Sequence, residues 1–293
     1  MTAVTATAAI AEIPPAHAGF VSFVRRHPTV AVGGALLVVI VVAAIAAPWL
    51  GTVDPISINP SQRLRGMSAE HWFGTDRFGR DLYSRVIYGG RVSLVVGLSV
   101  AALSTLIGLA IGLVSGYMRA VDAVVMRVMD GMMAIPAIML AIALIALSKA
   151  SILIVIVAVT LPEVPRVVRL VRSIVLTLRE QAYIEAATAI GTSVPRILLR
   201  HLLPNALPPL IVQATYICAS AVLIEAALSF LGAGTPPEIP SWGNIMAEAR
   251  PYFQLKPWMV LLPGVFLAVT VLAINLVGDG LRDMLDPRLA RRM

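Results

Sequence analysis

The residues able to do chemistry in this chain of 293 are few and scattered. Four histidines, His17, His27, His71 and His201, stand far apart, and neither an HExxH helix nor a GxSxG nucleophile turn is present. The two lysines, Lys149 and Lys256, lack the glycine spacing of a phosphate-cradling P-loop. The single cysteine, Cys218, excludes an intramolecular disulfide and a cysteine metal cluster, and its place inside an apolar run suits an inert packing thiol. Ion or proton relays need ionisable groups deep in apolar sequence. Asp130, Glu225 and Asp279 stand only at the edges of such runs, which fits interfacial or packing roles. The pattern points away from an enzyme: no catalytic, cofactor-binding or metal-binding residue is expected, and any energy source lies elsewhere.

What must position these residues is a membrane bundle. The mean hydropathy is +0.87, with 58% hydrophobic and 13% charged residues, and the apolar residues come in long unbroken runs. A helix needs about 20 such residues to cross a hydrocarbon layer roughly 30 Å thick. Val30–Leu50, Val92–Met118, Leu202–Ile224 and Trp258–Val277 meet that length, Met132–Ser148 nearly does, and Ser151–Pro162 continues into a segment carrying Arg166, Arg169 and Arg172 on one face. The reading is an all-α polytopic protein with six spans. Fourteen of its 23 basic residues fall on the side of the termini, which places both termini in the cytoplasm under the positive-inside rule. The net charge of +7 then serves topology and lipid headgroups; scattered arginines with few aromatics do not suit nucleic acid. The expected organisation is a cytoplasmic tail at residues 1–27 without a cleavable signal, a first span at 28–50, a folded extracytoplasmic segment at 51–90, a five-helix core at 91–280, and a cytoplasmic tail at 281–293.

Two further patterns concern packing and passage. Ser104, Gly108, Gly112 and Gly116 recur every four residues, leaving one face of the second span nearly smooth for a neighbouring helix. Gln213, Tyr216 and Ser220 share a helical spacing and either line a polar pathway or bond helix to helix.

Between the fourth and fifth spans the apolar text breaks into EAATAIGTSVPRILLRHLLPN, Glu185 to Asn205. Glu185 to Ile190 favours a short helix and Gly191 suits the left-handed turn that ends one. Thr192 or Ser193 can cap a second helix that tolerates Pro195 in its first turn. The product is a helix, a bend and a helix over residues 183–204, a knob fit for a soluble partner.

These residues carry a family resemblance. Glu185-Ala186-Ala187, three residues, Gly191, eleven residues and Leu203-Pro204 resemble the EAA signature of permease subunits in binding-protein-dependent ABC importers. His201 stands where the general pattern has isoleucine, and RHLLPN is similar to the dipeptide and oligopeptide branch. HWFGTDRFGRDLYSRVIYGGRVSL from His71, EAALSFLGAG from Glu225 and NLVGDGLRDMLDPR from Asn275 resemble that branch as well. LPEVPR, Leu161 to Arg166, departs from it, where an aromatic and an Ala-Arg pair are usual. The resemblance spans about Arg26 to Arg288. It implies a type I, MetI-like permease fold, the C-type subunit of a peptide or nickel importer in the bacterial inner membrane. The implied partners are a homologous permease, two ABC ATPases that carry the ATP and Mg²⁺, and an extracytoplasmic substrate-binding protein. Glu185, Ala186, Ala187, Gly191, Leu203 and Pro204 would form the coupling element. An importer of another small solute shares these motifs, and an ion-coupled carrier working alone is the alternative of a different class.

Overall fold

The computed structural model describes residue 24 and residues 27–148 and 151–285. The rest of the expected N-terminal tail, Lys149, and the C-terminal tail beyond Leu285 lie outside the described residues.

Helix α1, Pro28–Ile45, starts with a proline in its first turn and gives way to a 3-10 turn, Ala47–Trp49, around Pro48. The expected first span is therefore five residues shorter as a helix. The carbonyls freed at its end are taken by a side chain from another helix: Arg91 Nη2 donates to Ile45 O at 2.9 Å and Nε to Ala44 O.

Helix α2, Leu82–Tyr117, is capped by Asp81, whose carboxylate accepts from Ser84 N at 2.8 Å. Its 36 residues reach about 54 Å, more than the roughly 30 Å of hydrocarbon, so it extends past the hydrocarbon layer. The smooth stripe predicted on it does meet a helix. That partner is α5, Ile152–Arg179, which offers valines at the same four-residue spacing: Gly108 faces Val167, Gly112 faces Val171 and Gly116 faces Val175.

The third expected span, Met132–Ser148, is not one helix. Helix α3, Arg119–Met133, and helix α4, Ala137–Ala146, meet at 84°. Pro136 is the cause, since it disfavours helical backbone at Ile135 and withholds an amide hydrogen. The ten residues of α4 span only about 15 Å. Among the described residues four helices are long and apolar enough to cross a membrane, or five if the bent pair counts as one, against the six expected. Helix α5 has the length, but Glu163 and four arginines interrupt its apolar character after Pro162.

Past α5 come α6, Ala182–Ala189, and α7, Val194–Ile197, then a π-helical turn, Leu198–Leu202, that runs straight into α8, Leu203–Phe230. The first third of α8 is short of backbone bonds. Pro204, Pro208 and Pro209 have no amide hydrogen for the carbonyls of Arg200, Pro204 and Asn205. At its start Leu203 N donates to Leu198 O, the bond that closes the π-helical turn, and Asn205 Nδ2 donates to His201 O at 2.7 Å. Helix α9, Trp242–Ala249, and helix α10, Trp258–Leu285, complete the order.

Residues 46–81 and α9 gather at the start of α2, while α6 and α7 lie at its far end, where Arg179 Nη1 donates to Gly116 O at 3.5 Å. At the first end Trp242 is fully buried and donates from Nε1 to Val86 O at 2.9 Å, pinning α9 to α2. No strand forms among the described residues, only an isolated bridge between Thr75 and Asp81.

Candidate functional site

The α6–α7 hairpin is built by one glycine. Gly191 has φ +79°, a region that residues with a Cβ enter at a cost. Around it the Gly191 amide donates to Thr188 O and the Thr192 amide to Ala187 O, both at 3.0 Å, the paired bonds of a Schellman ending. Ser193 stands at the N-cap of α7 and Pro195 in its first turn, but the Ser193 side chain makes no capping bond, so the expected cap is positional only. Ile184 and Ala187 face inward and are buried, whereas Glu185, Ala186 and Gly191 are exposed and Ile190 is 82% exposed at the tip. Leu203 and Pro204, read as the end of the hairpin, form the first turn of α8. Tyr183 and His201 close the base with ring centroids 6.3 Å apart.

Helix α5, which leads into the hairpin, is fastened to α3 by charge. Arg172 donates to both carboxylate oxygens of Asp122, from Nη2 at 2.6 Å and from Nε, and Arg169 Nη2 donates to Asp130 Oδ1 at 2.6 Å. Asp130, expected at an interface or in packing, is thus paired. The hydrogen bonds from Arg172 hold the Asp122 carboxyl below its ordinary range.

Of the three pathway candidates the structure brings two together. Gln213 and Tyr216 line an open groove with Leu170 of α5 and Arg282 of α10, and the Tyr216 hydroxyl donates to Asp279. Ser220 is half-buried and lies outside that groove.

Three buried features escaped the sequence reading. Glu163, 1% exposed in α5 between Pro162 and Pro165, accepts from Arg166 Nη1 at 3.1 and 3.3 Å. Glu225, expected in an interfacial or packing role at a span end, packs fully buried among hydroxyl groups that the sequence did not reveal: Ser229 Oγ donates to it at 2.8 Å and Ser93 Oγ at 3.2 Å. At the opposite end from the hairpin, Asp76, Arg80, Arg85 and Glu248 form a buried ionic cluster of zero net charge. Arg80 Nε meets Asp76 at 2.5 Å and Arg85 Nη2 meets Glu248 at 3.3 Å, while a second Arg80 bond to Glu248 ties the 46–81 segment to α9. Beside it His71 bonds Asp81 at 2.9 Å and Gln62 at 3.0 Å. The charge-dense GTDRFGRD run was the available signal for this cluster, but its Glu248 partner is 168 residues from Arg80. No group of three or more potential metal ligands occurs among the described residues.

A long helix zipped to a valine-faced neighbour, a bent helix pair and an exposed hairpin between α5 and α8, in a bundle whose described residues include four helices apolar enough to cross a membrane, define an integral membrane protein. A profile described as binding-protein-dependent transport system inner membrane component matches residues 104–291, and the chain belongs to that family. It is 52% identical over 272 residues to the probable peptide ABC transporter permease protein y4tQ of Sinorhizobium fredii, covering 93% of each chain. Against the dipeptide transport system permease protein DppC of Alkalihalophilus pseudofirmus it is 43% identical, covering 90% of this chain and 88% of that one. Against the oligopeptide transport system permease protein OppC of Bacillus subtilis the figures are 35%, 91% and 88%. A chain from inward-facing conformations of the MetNI methionine ABC transporter shares the fold, with a TM-score of 0.55 at 23% identity over 69% of this chain and 96% of that one. The MetI-like permease fold expected from the EAA-type motif is the fold observed.

Proposed function

We propose that this permease is one of two homologous membrane subunits of an ATP-driven importer of di- and oligopeptides. Two ABC ATPases bind the ATP and Mg²⁺, and an extracytoplasmic binding protein hands over the peptide. The peptide names of relatives at 35–52% identity over most of the chain support the substrate class. The hairpin end and both termini face the cytoplasm, and the end holding the ionic cluster faces outward to the binding protein.

The observation that carries the coupling assignment is the hairpin geometry: one glycine-dependent turn presents Glu185, Ala186 and Ile190 outward on an element continuous with α5 and α8. Ala186 allows an ATPase groove to approach closely, Glu185 pairs with a basic side chain there, and Ile190 supplies apolar area to bury. ATPase closure then moves α5 and the base of α8, and Gln213 and Tyr216 lie on the peptide's route. The test is peptide uptake and substrate-stimulated ATP hydrolysis by the complete complex in proteoliposomes, with ATPase co-purification recorded. Glu185→Ala should lower all three, with docking weakened by about 1–3 kcal/mol for a buried charged pair. Normal values in Glu185→Ala and Gly191→Val together would leave the hairpin as a mere connection.

A further inference from the structure

Arg166, Arg169 and Arg172 follow Pro165 in α5 at three-residue steps and are engaged differently. Arg169 and Arg172 reach across to carboxylates of α3. Arg166 bonds within its own helix: Nη1 alone donates to the two oxygens of Glu163, at 3.1 and 3.3 Å, and its other N–H groups find no partner among the described residues. The pair is lopsided, with Glu163 1% exposed and Arg166 51%. A guanidinium held through one terminal nitrogen keeps its Nε–Nη2 edge free, and that edge offers the two parallel N–H bonds that a carboxylate accepts.

The pair lies deep in the membrane. Helices α2 and α5 run in the same direction with Gly108 beside Val167, so one four-residue step earlier Glu163 stands level with Ser104. Ser104 divides the charge-free run Val92–Met118 nearly in half, about 18 Å from one end and about 21 Å from the other. Arg166 leans toward Glu163, one turn closer to that midpoint, which is the reverse of the snorkelling by which lipid-facing arginines reach headgroups. An arginine at this depth faces a bundle interior or a water-filled path, so the exposed side of Arg166 is not a lipid face. Its helix face leads to the polar groove: Leu170, one turn on, lines that groove with Gln213 and Tyr216, and exposed Ser173 and Thr177 continue toward the hairpin. The backbone is irregular here too. Pro162 and Pro165 withhold amide hydrogens from the Ala158 and Leu161 carbonyls, and such breaks are tolerated at membrane depth where protein or water surrounds them.

We propose that Arg166 is a carboxylate site on the transport route, its free edge taking the C-terminal carboxylate of the translocating peptide while Glu163 holds the guanidinium from behind. The inference rests on the peptide-importer reading above. That carboxylate is common to peptides of every sequence, so one arginine serves them all. Because Glu163 already offsets the charge, the hold is loose enough for the peptide to leave, as conduction through a narrow site requires.

The test uses the complete complex with its binding protein in proteoliposomes hydrolysing ATP. The probe is radiolabelled alanyl-alanyl-photoleucine, whose diazirine sits beside the free carboxylate; it is irradiated during uptake and adducts are mapped by mass spectrometry. Adducts are expected on Arg166 and on Leu170 and Gln213 of the adjoining groove. Glu163→Gln with Arg166→Gln, which leaves no unpaired buried charge, should cut them about tenfold or more while adducts inside the binding protein persist. Arg166→Lys, which keeps the charge without the planar edge, should retain an intermediate share. A purely structural pair would lower recovery of the complex and leave the adducts per complex unchanged, which would overturn the proposal. So would adducts of the unaltered complex that fall only on other residues of the permease, or a carbodiimide cross-link from Arg166→Lys to a carboxylate of the homologous subunit, which would make the site a subunit contact. If the unaltered complex takes up no tripeptide, the importer reading fails and the inference falls with it. The adduct map of the unaltered chain decides even where the variants fail to assemble.

Discussion

One methyl group added at Gly112 should cost more than its size suggests. A Cβ there lies 2.7 Å from Val171 Cβ and 3.0 Å from the Val168 carbonyl oxygen, whereas carbon atoms in contact settle at about 3.5–4.0 Å. Both obstacles are fixed to the α5 backbone, so neither rotates aside. The two helices must part locally by about 1 Å, and a gap of that size forfeits roughly a quarter to a half of each dispersion contact at flanking pairs. Those pairs are Gly108 with Val167 and Gly116 with Val175. Overpacking of this kind costs about 1–3 kcal/mol, and alanine's better helix propensity returns at most about 1 kcal/mol. A net loss of about 1–2 kcal/mol follows. Cys218, the only cysteine and a buried one, provides the assay: a water-soluble thiol-reactive fluorophore reports its exposure as purified protein is warmed. At about 2–4 °C per kcal/mol the midpoint should fall by roughly 2–8 °C. Gly34→Ala, which meets nothing within 4 Å, should leave it unchanged or raise it. Combining Gly112→Ala with Val171→Gly moves the gap to the other helix and should recover part of the loss. If Gly112→Ala melts no lower than the parent, the close seam between α2 and α5 contributes nothing to stability and the reasoning fails.

Three other outcomes are expected. Gly191→Val forces a β-branched residue to φ +79° at a cost of about 1–2 kcal/mol; with no neighbour within 4 Å the fold should survive with a midpoint lowered by roughly 2–8 °C, while uptake by the complex drops well below the parent even far under that midpoint. Gly79→Ala combines φ +76° with a Cβ 1.8 Å from Asn59 O, so limited proteolysis should cut residues 51–81 far faster than in Gly51→Ala, which has a similar φ but open space. Because the folded carboxyl of Asp122 is held low, the Arg172 pair stabilises above the ordinary carboxylate pKa of about 3.9 and is lost as pH falls through the lower folded value. Asp122→Asn should therefore melt below the parent at neutral pH by no more than about 1 kcal/mol, the pair being partly exposed, and the difference should close below about pH 4.

Local signals in the sequence were the ones that could be read. The hairpin followed from a glycine at a helix end and a proline in the next first turn, both of which act on their own backbone. The packing face of α2 followed from four small residues at one spacing. The bend after Met133 was equally local, but weighing Met132–Ser148 by hydropathy alone passed over Pro136. The ionic cluster and the hydroxyl setting of Glu225 were not legible, because both depend on partners brought from far along the chain: Arg80 with Glu248, and Glu225 with Ser93. Glu163 stood out only as a departure from a motif, and its burial is fixed by how α5 lies against its neighbours.

The proline-poor backbone of α5 below Pro165 and the proline-rich start of α8 make the hairpin an asymmetric joint. From Arg166 to Arg179 every amide of α5 can serve its own helix, and the valine face is braced by the glycines of α2. From Leu198 to Pro209 the chain entering α8 has a π-helical turn and three missing amide donors, and helices bend where such bonds are absent. A displacement of the hairpin is therefore transmitted along α5 as by a strut and taken up in α8 as by a flexure. The half of α8 that holds Gln213 and Tyr216 can then keep its place against α10 while the base beneath it swings.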